Sequence, residues 1–381
     1  MLKLSRLDRL KNYCATAALI IVPAVTVALM PANSRAQEVA VAATAPYSVT
    51  TFATAPAGLS KPDSITFSST NVFVGYGNGG APDGSGGAMS NIVEYDFTGA
   101  MVKNFTVKGH NDGLRFNPMT NQLWAVQNED GNATLIIINP KSGTQKTFTL
   151  GTGPHGGGYD DIDFNNNKVY ISASAPTLTT NTAAAIVSLK FAGTKPGLSE
   201  ILAGNASVTD VTSGNPVTLN LQDPDSMIVD PAGELVMTSQ GDGELIVVQH
   251  PGLTCQKAFV VPLTSSAGGT TIGDTQLDDT VFTTAGTGKL LVADKGLNTV
   301  FAITAPYFAA SAYSAVSIFS SPSAANPTES FVGQTNLTTG FVTPIVNGMS
   351  NPGGMAFIPS GVNLEKFIKA SVQISEVCPA T

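Results

Sequence analysis

The chain has 381 residues, of which 12% are charged and 43% are hydrophobic, and it contains 38 Gly and 23 Pro. So few charged residues exclude a coiled coil or a solvated helical array, and so many hydrophobic residues exclude wholesale disorder. The net charge of −8 argues against a nucleic-acid partner, which needs a basic face to neutralise phosphates. The composition indicates a strand-rich, turn-rich, acidic globular protein.

The first 36 residues have the pattern of a secretory signal. A basic start precedes an apolar run over 15–30, and Ser34 and Ala36 are small residues at the positions that a signal peptidase reads. The alternative is a retained membrane anchor, but the apolar run is shorter than the about 20 residues of a span. We predict a signal peptide over 1–36 and a single domain over 37–381, which is periplasmic or secreted and has no membrane span after signal removal.

A five-residue phrase recurs six times in the rest of the chain, with starts 48 to 75 residues apart. Its copies cover 63–67, 112–116, 160–164, 225–229, 278–282 and 353–357. Two β-rich runs follow each of the first five copies, at 290–292 and 300–303 in the fifth unit, and a more polar run closes most units. Each unit therefore predicts four short strands.

Four strands repeated at this spacing are typical of a β-propeller, because one blade cannot bury both of its faces alone. We predict an all-β, six-bladed β-propeller with four-stranded blades; a two-sheet sandwich is the alternative. Only 24 residues follow Phe357, so a strand near 47–52 is expected to close the last blade. The Ser/Ala-rich segment 309–330 is interpreted as a surface loop.

Five of the six phrases begin with aspartate, at Asp63, Asp112, Asp160, Asp225 and Asp278. Strand periodicity places this residue on the same side as the third and fifth residues, and a propeller brings the phrase starts to one mouth of its central channel. Carboxylates crowded there raise one another's pKa unless a cation neutralises them, and oxygen ligands without thiolates suit Ca²⁺. In the alternative interpretation, each Asp caps backbone N–H groups of its own turn.

Two of these phrases resemble those of a known family. The segment 223–233 is similar to the Pro-Asp-Gly phrase of the senescence-marker-protein/gluconolactonase family, whose Asp binds the catalytic divalent metal, although Ser226 stands where the family has Gly. The segment 111–118 resembles that family's Asn-Asp-Gly phrase, with Gly109 where the family has Arg. The wider superfamily includes NHL-repeat, strictosidine-synthase-like and paraoxonase-like propellers, many of them not catalytic.

The resemblance implies a propeller that binds a divalent metal through Asp225. By strand register, Asp63 falls where the family has a metal-binding Glu, and Asp160 where it has a metal-binding Asn. The family's substrate- or metal-proximal Asn matches Asn111 by motif and Asp112 by register. The implied metal set is therefore Asp63, Asn111, Asp112, Asp160 and Asp225.

Other candidate residues are few. His110 and His155 each precede an innermost strand, and an imidazole suits proton transfer near neutral pH, so either is a candidate general base beside Asp225. The alternative is a loop histidine hydrogen-bonded to backbone. The glycine cluster 77–87 lacks the Lys and the helix of a phosphate-binding loop and is interpreted as a mobile loop over the mouth. Cys255 and Cys378 either form a disulfide or remain free thiols.

Two classes of function follow. In the first, the protein is an exported hydrolase of the lactonase or esterase type, in which Ca²⁺ or another divalent cation polarises the carbonyl of a small-molecule ester or lactone and lowers the pKa of a bound water. In the second, it is a non-catalytic, NHL-like binding propeller that recognises an extracytoplasmic protein or glycan, and any ion is structural. Both predict a monomer without a nucleic-acid partner.

Overall fold

The computed structural model describes residues 40–267, 270–284, 286–317, 330–375 and 377–378, all within the unit Ala40–Thr381. The predicted signal peptide, 1–36, lies outside the described residues. The described residues form six sheets, and two short N-terminal strands join the last two of them. These strands are β1 (Ala42–Ala43) and β2 (Ser48–Thr54).

Three four-stranded antiparallel sheets follow in chain order. The first contains β3 (Pro62–Phe67), β4 (Asn71–Tyr76), β5 (Met89–Asp96) and β6 (Met101–Lys108). The second contains β7 (Asn111–Asn117), β8 (Gln122–Gln127), β9 (Ala133–Ile138) and β10 (Gln145–Gly151). The third contains β11 (Tyr159–Asn165), β12 (Lys168–Ala173), β13 (Ala184–Ala192) and β14 (Lys195–Ala203). Asn166 and Asn167 join β11 to β12 with φ of 48° and 61°, as a two-residue hairpin turn requires.

The fourth and fifth sheets carry strands beyond four. The fourth has the order β16-β15-β20-β19-β18-β17. Its strands are β15 (Ser207–Asp210), β16 (Pro216–Thr218), β17 (Pro224–Val229), β18 (Leu235–Ser239), β19 (Glu244–Gln249) and β20 (Lys257–Pro262). The fifth has the order β22-β21-β28-β27-β26-β23, with β1 beside β28. Its strands are β21 (Thr264–Ala267), β22 (Thr270–Gly273), β23 (Leu277–Thr283), β26 (Ser311–Val316), β27 (Ser330–Thr335) and β28 (Phe341–Met349).

The last sheet combines strands from three parts of the chain, in the order β2-β25-β24-β29. Besides β2 it contains β24 (Gly288–Asp294), β25 (Thr299–Thr304) and β29 (Pro352–Pro359). β2 pairs with β25 along its length, with Ser48 opposite Thr304. The expected closure by an N-terminal strand is confirmed.

The assignment of 290–292 and 300–303 to the fifth unit is wrong. These runs lie in β24 and β25 of the last sheet, with Leu290 opposite Phe357 of β29. β23 pairs instead with β26, so part of the segment interpreted as a surface loop is a mostly buried strand, while 318–329 lies outside the described residues. An apolar run can pair with either neighbouring strand, so only the tertiary structure decides between them.

The innermost strands β3, β7, β11, β17, β23 and β29 contact one another in this order, and β29 contacts β3, which closes a ring around a central channel. All six phrases lie on these strands. Each hydrophobic cluster of the described residues joins two adjacent sheets, and burial of this apolar surface is the main force that stacks them. The prediction of an all-β β-propeller with four-stranded blades is confirmed.

Each innermost strand has an irregularity at the first two residues of its phrase. In β7, Asn111 pairs with Gln127 and Leu114 with Ala125, so Asp112 and Gly113 together face Val126. The same register shift occurs in the other five innermost strands. Such a β-bulge re-aims side chains. The strict alternation that placed the first Asp on the side of the third and fifth residues therefore does not hold.

The C-terminal segment adds a helix across one end of the channel. α1 (Leu364–Ser371) begins after Asn363, whose side chain accepts a hydrogen bond from the Lys366 N–H. Ile368 is buried against the cluster that contains Phe116. Cys255 and Cys378 form a disulfide, which settles the alternative left open by the sequence. In the described part of the chain, no helix is long and apolar enough to cross a membrane.

Candidate metal centre at the acidic mouth

The phrase starts gather at one end of the central channel, which we call the acidic mouth. It contains Asp63, Asp112, Asp160, Asp225 and Asp278, together with Glu129 and Lys295 from loops that follow second strands of their sheets. Asp225 is partly exposed, whereas the other four aspartates are buried. Six carboxyl groups thus share one mostly buried region with one lysine.

Lys295 occupies the position at the mouth where the sixth phrase, which begins with glycine, has no side chain. Its Nζ lies 2.8 Å from Asp63 Oδ2 and 3.0 Å from Asp278 Oδ2. The sixth phrase begins with Gly353, and a Cβ there would lie 2.7 Å from both Lys295 Cε and Asp63 Oδ1. A sixth aspartate would therefore displace the ammonium group. Gly353 and Lys295 together replace a sixth negative charge with a positive one.

His110, Asp112 and Glu129 form the tightest group of candidate metal donors. One ligand atom from each lies within 4.8 Å of the others, and no other group of three His, Cys, Asp or Glu residues in the described ranges does so. His110 Nε2 is 3.6 Å from Glu129 Oε1. His110 Nδ1 is buried and has no hydrogen-bond partner among the described residues. The three side chains offer one nitrogen and two oxygen ligands.

The backbone on both sides holds His110 in place. Its N–H donates to Asn128 Oδ1 over 2.9 Å, and its carbonyl accepts from the Asn128 N–H over 2.8 Å. This exchange joins the start of β7 to the end of β8, so His110 and Glu129 are brought together by adjacent strands. Gly77 lies against the ring, where a Cβ would be 2.7 Å from Cε1. The glycine cluster interpreted as a loop over the mouth thus packs on His110.

Burial and crowding make most carboxyl groups of the mouth difficult to ionise. Burial, followed by repulsion from neighbouring carboxylates, raises the pKa of Asp160 and Asp225 well above the usual range. Burial and the Asp112 charge raise the pKa of Glu129. Burial opposes ionisation of Asp112, but a hydrogen bond with Glu129 and the charges of Lys295 and His110 lower its pKa overall. Asp112 is therefore the more acidic of these two carboxyl groups, and Glu129 the less acidic.

A second polar layer lies below the mouth and is centred on Arg115. Its Nη2 donates to Asp161 Oδ2 (2.7 Å) and to the Met227 carbonyl (2.9 Å), and its Nε donates to the Ile162 carbonyl (3.1 Å). These contacts join three consecutive innermost strands. The contact with Asp163 is longer, with Arg115 Nε 3.8 Å from Asp163 Oδ1. Arg115 is the only arginine after residue 36.

The predicted site residues Asn111 and His155 lie outside the group of three. Asn111 is fully buried, and its Nδ2 donates to the carbonyls of Gly113 and Val126. His155 is 1% exposed, its Nε2 is 2.7 Å from the Gly158 carbonyl oxygen, and burial lowers its pKa. This environment corresponds to the alternative of a histidine bonded to backbone, and it does not suit a general base.

Turn capping by aspartate also occurs, mainly at other aspartates. Asp294 accepts from the N–H groups of Gly296, Leu297, Ser350 and Asn351. Asp242 Oδ2 accepts from the N–H groups of Gln222 and Asp223. Of the phrase-starting aspartates, Asp225 accepts from the next residue, Ser226. Asp96, Asp210 and Asp230 also cap turns, so most of the capping is done by aspartates that do not start a phrase.

Glu129 and Lys295 were absent from the predicted site. Glu129 follows the second strand β8, and Lys295 follows the second strand β24. The register of the innermost strands therefore does not predict their positions. A signal for Lys295 was present, because the sixth phrase has glycine where the others have aspartate. Glu129 had a weaker signal, as one of several acidic residues in corresponding loops.

These features define the chain as a β-propeller with an acidic channel mouth. It is similar to the solved structure of a Bacteroides caccae protein of unknown function, with 10% identity over 78% of this chain and 87% of that chain and a TM-score of 0.45. It is also similar to a candidate gluconolactonase, with 10% identity over 84% of this chain and 91% of that chain and a TM-score of 0.43. A third similar structure is virginiamycin B lyase from Staphylococcus aureus, with 10% identity over 68% of this chain and 99% of that chain and a TM-score of 0.41. The last two are β-propellers. No family model and no curated protein matches the chain.

Proposed function

We propose that the chain is an exported, monomeric propeller hydrolase that binds one divalent cation between His110, Asp112 and Glu129 and acts on a small ester or lactone. In this proposal the six sheets are six blades around one axis, and the protein is periplasmic or secreted. The observation that carries it is the approach of three donor atoms within 4.8 Å, inside a region with an excess of carboxyl groups.

The residues present fit a divalent cation. Two ligands of one ion at about 2.3–2.6 Å can be no more than about 5 Å apart, and the donor atoms of His110, Asp112 and Glu129 meet this limit. The buried, mutually repelling carboxyl groups favour a cation for the same reason that they favour protons. The imidazole nitrogen in the set favours Mn²⁺ or Zn²⁺, whereas the all-oxygen set expected from the sequence favoured Ca²⁺.

A bound cation would polarise a substrate carbonyl and lower the pKa of a water molecule. Asp225 is the group best suited to move a proton, since it is partly exposed at the mouth and its pKa is raised by burial and by the charges of Asp278 and Asp112. A carboxyl group with a raised pKa can donate its proton to a leaving oxygen near neutral pH. Asp63, Asp160 and Asp278 surround the site without entering the group of three.

Cation binding is tested by thermal unfolding of protein stripped of metal. At 100 times its dissociation constant, a cation stabilises the folded state by about 2.7 kcal/mol, so Mn²⁺ is expected to raise the melting temperature by several degrees, and Ca²⁺ by less. Glu129→Gln should stabilise the metal-free protein at pH 8, because it removes a carboxyl group that burial and the Asp112 charge make costly to ionise, and should lose the Mn²⁺ response. His110→Asn should also lose the response, and His250→Asn is the matched control that keeps it.

No response to Mn²⁺, Zn²⁺ or Ca²⁺, or an equal response in Glu129→Gln, would exclude the metal site. A retained response without hydrolysis would leave the binding propeller as the function, with a structural ion. The two results are distinguishable because unfolding and turnover are measured separately.

Catalysis is tested with a panel of lactones and aryl esters, with and without chelator. Asp225→Asn is expected to lower kcat about 10²- to 10⁴-fold, as for loss of a general acid or base, and to keep the Mn²⁺ response in thermal unfolding. The control is Asp230→Asn, which changes an aspartate just beyond the other end of the same strand. Equal turnover in Asp225→Asn and the unmodified protein would exclude Asp225 as the proton donor.

A further inference from the structure

The other end of the central channel holds an apolar cavity of about 310 Å³, which we call the lower cavity. Its walls come from the ends of innermost strands and from α1, and they include Phe67, Phe116, Phe282, Phe357 and Phe367. The fourth residue of every phrase also lines it. The lower cavity is separate from the acidic mouth, because the phrase starts do not line it and Arg115 lies between the two.

The charged residues that line the lower cavity are all engaged within the protein. Arg115 is bonded to Asp161. Asp163 accepts from the N–H groups of Phe164 and Val229, each over 2.7 Å. Asp230 accepts from the N–H groups of Ala232 and Glu234. A ligand would find no free charge here, so recognition would rest on shape and apolar contact with the aromatic walls.

α1 covers the lower cavity, and the chain beyond its C-terminal end is fastened to the third and fourth sheets. Phe367, Ile368 and Ser371 contribute to the wall. Beyond the helix, the Val372 carbonyl accepts from the Asn166 N–H over 3.0 Å, and the Ile374 N–H donates to Asn165 Oδ1 over 3.0 Å. The Cys255–Cys378 disulfide ties the tail to the fourth sheet. A cover formed by the chain itself leaves room for a small molecule but not for a segment of another protein.

From these features we propose that the lower cavity binds a neutral aromatic molecule of about two rings. An apolar cavity of about 150 Å³ stays dry and binds benzene, and the lower cavity has about twice that volume. An empty apolar cavity destabilises a fold in proportion to its volume, so an occupant stabilises this one. The ligand is held between the innermost strands and α1, and it needs no cation at the acidic mouth.

The test uses 1-naphthylamine, a two-ring fluorescent probe that is neutral at pH 7, with the whole chain in its disulfide-bonded form. We expect saturable one-to-one binding. Val229→Trp fills the lower cavity and should weaken binding at least tenfold, while Val362→Trp makes the same change at an exposed residue and should leave binding unchanged. Far-UV circular dichroism and cooperative unfolding establish that each variant folds, and Ile228→Phe, at another lining residue, replaces Val229→Trp if that variant does not.

Absence of saturable binding would overturn the proposal. So would unchanged affinity in a folded Val229→Trp or Ile228→Phe variant, or an equal loss in Val362→Trp, since either would place the probe elsewhere. Glu129→Gln binds the probe normally if the two sites are independent, and loss of binding there would contradict their separation.

Discussion

Replacing Lys295 with methionine is expected to lower the free energy of unfolding at pH 8 by about 3–5 kcal/mol, the usual cost of leaving a buried charge without its partner. The ammonium group contacts both Asp63 and Asp278. Burial raises the pKa of both carboxyl groups, and the Lys295 charge partly offsets that increase. Without Lys295 both pKa values rise further, so both groups become harder to ionise in the folded protein.

The sign of the pH dependence follows from these raised pKa values. A carboxyl group whose pKa is raised in the folded state binds a proton more tightly there than in the unfolded chain, so stability is greater at low pH and falls as pH rises through the folded pKa. The loss caused by Lys295→Met should therefore be smaller at pH 5 than at pH 8. Urea unfolding in the presence of chelator measures both values.

Lys289→Met is the matched control, because Lys289 is exposed on β24, the strand that Lys295 directly follows. It is expected to change the free energy of unfolding little at either pH. A Lys295→Met protein that is as stable as Lys289→Met at pH 8, or that loses more at pH 5, would contradict the role of Lys295 in neutralising the acidic mouth.

Arg115→Met is the second substitution with a large expected effect, again about 3–5 kcal/mol in the free energy of unfolding. It would leave Asp161 and Asp163 buried without their cation. It would also remove charge from near Asp279, whose pKa burial and the Asp161 charge already raise to about 7. Three innermost strands would lose the side chain that joins them.

A double-mutant cycle separates the charge effect from lost packing. Adding Asp161→Asn to Arg115→Met should recover part of the stability, because it removes one of the unpaired charges, so the two changes are expected to be less than additive. Urea unfolding of the four proteins at pH 8 measures the coupling. Additive losses would show that Arg115 acts by packing alone.

The gathering of the phrase-starting aspartates at one mouth was predicted correctly, but the strand alternation used to orient their side chains does not hold. Strand alternation would have placed each first Asp beside the third and fifth residues of its phrase, but a β-bulge intervenes in every innermost strand. A bulge depends on how two strands pair, and a single strand's pattern does not reveal it. The aspartates still meet at one mouth, because the ring of innermost strands brings all phrase starts to the same end.

The repeating unit could be predicted from the chain's residues alone, and so could the all-β propeller class, the innermost strands and the acidic character of one mouth. These depend on local alternation and on spacing along the chain, which repeat six times. Three features could not be predicted and became visible in the fold: the sheet that β24 and β25 form with β29, the approach of Lys295 to Asp63 and Asp278, and the group formed by His110, Asp112 and Glu129. These contacts join residues from different strands and loops, and their geometry follows from how the sheets close around the channel.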